Sequence, residues 1–69
     1  MPNKLYEARA MQRISQYVIA LKTGIQQSRI SLIENELVTP RKEEMEKIAK
    51  ALGVQAHDIF LNEEQNHAR

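Results

Sequence analysis

Apolar residues recur along this chain at helical spacing, with almost no stretch that alternates as a strand would. Leu5, Ala8 and Met11 lie three apart and predict a first helix from about Asn3 to Gln12, with Asn3 as its cap. Ser15 reads as the N-cap of a helix of two turns, Gln16 to Lys22, which Thr23-Gly24 ends through the glycine's access to positive φ. Ile25 points back to the core, and a third helix runs from about Gln27 to Asn35. Glu36-Leu37-Val38-Thr39 forms a loop into Pro40, a good first-turn residue with Thr39 as cap, and Glu43 and Glu44 suit the start of a fourth helix. Met45, Ile48, Ala49 and Leu52 form one stripe at i, i+3, i+4 and i+7, closed by Gly53. Val54 leads into a short helix from Ala56 to Phe60. The pattern predicts an all-α bundle of five helices.

Length and charge narrow the picture. With 69 residues the chain reads as one domain, its core over about 3–61 and residues 62–69 a flexible tail. Without cysteine it has no disulfide and no thiolate metal site, so packing or self-association must hold it. The opening residues lack the apolar run of a signal peptide, and the longest apolar run, Val18 to Leu21, is far too short for a bilayer; the expectation is a cytoplasmic protein without membrane contact. Charge is unevenly spread: residues 1–31 carry +4 and residues 32–69 carry −3. That asymmetry describes an ordinary solvated face as readily as a nucleic-acid footprint.

An enzyme lacks its parts here. His57 and His67 are isolated, Ser15, Ser28 and Ser31 have no histidine at a triad position, and no carboxylates show metal-ligand spacing. No catalytic residue, metal or cofactor is expected; Glu43, Glu44 and Glu46 read as a solvated face that complements the helix dipole.

The segment Thr23-Gly24-Ile25-Gln26-Gln27-Ser28-Arg29-Ile30 joins two short helices by a tight turn. Ala20, four residues before Gly24, provides the small side chain a steep crossing requires, and Ile19, Ile25, Ile30 and Ile33 form the apolar wedge behind it. This spacing fits a helix-turn-helix, whose second helix enters the DNA major groove. An ordinary helical hairpin fits it as well.

The chain as a whole resembles the small helix-turn-helix proteins of the phage repressor and Cro type, the XRE family. The likeness runs from Leu5 to Phe60 and rests on Ser15-Gln16, Ala20, Thr23-Gly24-Ile25, Gln27-Ser28, Ile30-Ser31, Ile33-Glu34, Pro40 and the block Ile48 to Val54. It implies a λ-repressor-like five-helix domain that binds double-stranded DNA.

On that resemblance, Ile30, Ile33 and Glu34 take the inner side of the third helix, and Gln27, Ser28, Ser31, Leu32 and Asn35 the arc toward the groove. Gln27 matches a base-reading position, where its amide can pair with adenine N6 and N7, and Ser28 can donate or accept at several bases. Leu32 either touches a thymine methyl or covers a neighbouring loop. Arg29, at the edge of the arc, is directed to a guanine or a phosphate, with phosphate preferred. Gln16 matches a position that holds a backbone phosphate; Asn35, Arg13 and Lys22 are further backbone candidates. Arg9 and Glu34 match an ion pair that joins the first helix to the third. Ile59, Phe60 and Leu61, joined by Leu37 and Val38, are expected at a homodimer interface.

Some residues depart from the family pattern. Arg13 and Glu36 stand where glycine is common, so the ends of the first and third helices are expected to be shaped differently. Leu37 and Val38 replace basic loop residues. Tyr17, Val18 and Leu21 are apolar where solvated residues are usual, and partial cover by neighbouring helices is the expectation. The reading is a sequence-specific transcriptional regulator, a repressor that binds a palindromic operator as a homodimer. The alternative is an interaction module, such as an antitoxin or anti-regulator, whose apolar surface binds a partner protein.

Overall fold

The computed structural model describes residues 3–60, and Leu61 and residues 62–69, the expected tail, lie outside them. Five helices follow one another: α1 (Leu5–Gln12), α2 (Gln16–Thr23), α3 (Gln27–Glu34), α4 (Lys42–Leu52) and α5 (Ala56–Ile59). The described residues contain no strand.

The apolar stripes converge on one core. Leu5 of α1, Ile19 of α2, Ile30 and Ile33 of α3, Met45, Ile48 and Leu52 of α4, and Ile59 and Phe60 are all buried together. A fully buried isoleucine contributes about 1.5 to 3 kcal/mol, a large share of the total stability of so small a domain. Ile59 and Phe60 therefore do not offer a surface to a second copy. Packing beneath α1 and α4 has already consumed both side chains, which corrects the expected interface. The apolar end of a sequence reads the same whether it closes its own core or another's.

Helix starts follow side-chain acceptors, except at α3, where Gln26 caps without a side-chain bond. Ser15 Oγ accepts the Val18 N–H at 3.1 Å, capping α2. Asn3 Oδ1 accepts the Leu5 N–H at 3.0 Å, so α1 begins two residues later than the pattern suggests. The same asparagine donates from Nδ2 to the Ile33 carbonyl at 2.9 Å, and its backbone N–H donates to the Glu36 carboxylate, tying the start of α1 to the end of α3. In α4 the cap is Arg41, not Thr39, because the Glu44 carboxylate accepts the Arg41 N–H at 2.8 Å. Pro40 is buried just ahead of the helix.

Helix ends follow backbone closure more than residue type. At Arg13 (φ 57°), Glu36 (φ 64°) and Gly53 (φ 73°) the chain turns left-handed. The next N–H then reaches back to a carbonyl five residues earlier: Ile14 to Arg9 at 3.0 Å, Leu37 to Leu32 at 2.9 Å and Val54 to Ala49 at 3.0 Å. Arg13 and Glu36 thus keep the shape a glycine would give, contrary to expectation, and carry the local strain of a side chain at positive φ. α2 ends at Gly24 (φ 78°), whose N–H donates to the Ala20 carbonyl at 2.8 Å.

Candidate nucleic-acid interface

The turn between α2 and α3 is built from Thr23. Its buried hydroxyl donates to the Ile19 carbonyl at 2.8 Å and accepts the Ile25 N–H at 3.1 Å, so one side chain closes α2 and starts the next segment. Ala20 and Ile25 pack against the core on either side of it. The second helix of the motif is thereby set at a fixed attitude to the first.

The inner side of α3 is held at its C-terminal end by charge as well as by packing. Arg9 of α1 donates from Nε to Glu34 Oε1 at 3.0 Å and from Nη2 to Glu34 Oε2 at 2.8 Å, a two-pronged pair with side chains only 13% and 8% exposed. Arg9 Nη1 also donates to the Ile14 carbonyl at 2.8 Å, and the guanidinium lies 5.5 Å from the Tyr6 ring centroid. A carboxylate this sheltered needs such a partner, since an unpaired one is costly to bury.

Gln16 joins that network, donating from Nε2 to Glu34 Oε1 at 3.3 Å. It stands in the first turn of α2, partly buried beside the ion pair.

The outer side of α3 is different. Gln27, Ser28, Leu32 and Asn35 are exposed, and Ser31 is half-buried. Within the described residues Gln27 and Ser28 make no side-chain hydrogen bond, so both keep their full donor and acceptor capacity. Asn35 Nδ2 donates to the Ser31 carbonyl at 2.9 Å and approaches its Oγ at 3.4 Å, which couples these two residues before any ligand arrives.

Arg29 is not a free cation at the edge of the arc. It forks onto Glu44 of α4, Nε to Oε2 at 2.6 Å and Nη2 to Oε1 at 2.9 Å. Glu44 accordingly belongs to an ion pair as well as to the α4 cap, and is not part of a solvated acidic face. Sequence offered no signal for this pair, because a basic residue beside a polar arc and an acidic residue in a helix's first turn each have a local explanation.

Tyr17 and Leu21 are 58% and 65% exposed on one ridge of α2, without the cover expected for them; Val18 is partly buried. No group of His, Cys, Asp or Glu among the described residues could hold a metal ion. None of the described helices is long and apolar enough to cross a membrane.

Two short helices locked by a threonine turn, the second presenting an exposed polar arc, define a helix-turn-helix protein. The chain belongs to the helix-turn-helix family, which matches it over residues 5–59, and is of the XRE type, a class of DNA-binding transcriptional regulators. It is 38% identical over 64 residues to an uncharacterized HTH-type transcriptional regulator of Methanocaldococcus jannaschii, covering 93% of this chain and 97% of the relative.

Proposed function

We propose that the protein is a sequence-specific repressor that occupies an inverted-repeat operator as a homodimer, α3 of each subunit lying in the major groove. The observation that carries this reading is the contrast on α3: a core-packed, ion-paired inner side beneath exposed Gln27 and Ser28, which have no side-chain partner among the described residues. Gln27 reads a base, adenine being the natural match for its amide, and Ser28, Ser31 and Asn35 add hydrogen bonds to bases or backbone. Leu32 supplies an apolar contact to a thymine methyl. Gln16 holds a phosphate from the start of α2.

A single subunit presents few base contacts, so two are needed for a tight site. Leu37, 70% exposed just beyond α3, offers apolar surface to a second copy; Leu61 lies outside the described residues. The half-sites should be centred about 10 base pairs apart, one turn of the duplex. Control would come through concentration, competition or a partner protein, with no cofactor.

Selection of bound sequences from a random duplex pool tests this reading. The expected result is an enriched inverted repeat. Failure to enrich any motif would favour the second reading, a protein-interaction module, for which the exposed pair Tyr17 and Leu21 is the specific support.

A further inference from the structure

We propose that Glu44 is a positioning residue for DNA binding, holding the Arg29 guanidinium as a pre-aimed donor to a backbone phosphate at the flank of α3. This rests on the DNA-reading function above and assigns a role to a residue of α4, outside the helix-turn-helix.

The pair is layered. Glu44 is the inner member, its side chain 12% exposed, while that of Arg29 is 34% exposed. Both carboxylate oxygens are occupied, Oε2 by Arg29 Nε and Oε1 by Arg29 Nη2 and the Arg41 backbone N–H. The carboxylate is thus anchored from behind by the start of α4. An approaching anion meets the guanidinium rather than the carboxylate. The fork uses one edge of the guanidinium, and Nη1 makes no bond within the described residues, so its N–H groups remain for a phosphate oxygen.

The geometry also places the cation where a backbone contact belongs. Arg29 follows Gln27 and Ser28 in the first turn of α3 and is directed toward α4, away from the centre of the exposed arc. An arginine there touches the strand beside the groove and not the base edges. Held by two hydrogen bonds, it loses little side-chain freedom on binding.

The test measures binding to the selected operator over a range of salt for wild type, Glu44→Gln, Arg29→Ala, their double variant, and Arg29→Met/Glu44→Met, with far-UV circular dichroism establishing that each is folded. Wild type must bind with a salt dependence; if it does not, the DNA-reading function itself fails. Given that binding, Glu44→Gln should weaken affinity about tenfold, and Arg29→Ala by as much or more. The Arg29→Ala/Glu44→Gln variant should lose no more than Arg29→Ala alone, because Glu44 acts through Arg29. Arg29→Ala should also flatten the log–log salt slope by about 0.9 for each phosphate released, whereas Glu44→Gln should not. Tighter binding by Glu44→Gln would overturn the proposal, showing that Glu44 withholds Arg29 from DNA. Wild-type affinity and slope in the Arg29→Met/Glu44→Met variant would also overturn it, reducing the pair to a brace between α3 and α4. If Glu44→Gln fails to fold, Arg29→Lys takes its place: it keeps the charge without the fork, and wild-type affinity there would equally overturn the proposal.

Discussion

The two sides of α3 follow opposite rules. On the inner side Ile30 and Ile33 are wholly buried and Glu34 is matched atom for atom by Arg9. On the outer side Gln27 and Ser28 are left exposed, without side-chain partners among the described residues. A helix of eight residues is marginal by itself, so the inner side must supply the order that lets the outer side present hydrogen-bonding groups at fixed positions. The difference separates residues whose loss should unfold the chain from residues whose loss should change only what it reads.

The largest break in that division comes from Arg9. Arg9→Ala leaves Glu34 sheltered without a cation and should lower stability by about 3 kcal/mol, the lower end for a buried pair because some solvent reaches it. Thermal or urea unfolding measures it. Replacing both Arg9 and Glu34 by methionine should cost much less, since no stranded charge remains. A harmless Arg9→Ala would place Glu34 effectively in solvent.

Smaller effects come from the left-handed helix ends. Arg13→Gly and Glu36→Gly should each relieve strain at positive φ and raise stability by up to about 1 kcal/mol. Glu36→Gly should gain less, because it also removes the carboxylate that accepts the Asn3 N–H. Gly24→Ala should move the other way by a similar amount. Its Cβ would meet nothing within 4 Å, so the whole cost is conformational.

The smallest expected effect is on acid stability. The hydrogen bonds from Arg29 hold the Glu44 carboxyl below its ordinary value against the opposing effect of partial burial, and the Arg41 N–H adds to the lowering. A carboxyl lowered by folding contributes stability that is complete above its unfolded value, about 4.5, and disappears as pH falls through the folded one. Glu44→Gln should therefore flatten the stability curve slightly below that pH and leave its shape near neutrality unchanged. Chemical unfolding at a series of acid pH values measures the difference.

Much of this division was legible in the sequence, and the exceptions have physical causes. The stripe Met45, Ile48, Ala49, Leu52 and the Ser15 cap are local patterns, and the helices they mark are present. The match of Arg9 to Glu34 came through family resemblance, since nothing in the spacing of residues 25 apart would pair them. Arg29 with Glu44 spans α3, a loop and the start of α4, and neither charge lacks a nearer explanation. Arg13 and Glu36 show no glycine to mark a left-handed turn; the backbone bonds that close the helices outweigh the side chain's preference. The apolar character of Ile59 and Phe60 is plain in the sequence, but only the path of α5 shows that they turn inward. Thr23 ends α2 as the pattern predicts, and its hydroxyl also holds the turn together, a role no local spacing reveals.

The central claim, that the outer side of α3 reads DNA while the inner side only holds it in place, is tested most directly through Gln27. Wild type, Gln27→Ala and the Arg9→Met/Glu34→Met variant would be titrated against every single-base change in the selected operator. Gln27→Ala should lose about 1 to 3 kcal/mol of binding and its preference at one position in each half-site, with the other positions unchanged. The doubly substituted scaffold should keep the wild-type pattern of preferences at whatever affinity it retains. An even loss across all positions in Gln27→Ala, with no base released from discrimination, would contradict the account and make Gln27 part of the scaffold.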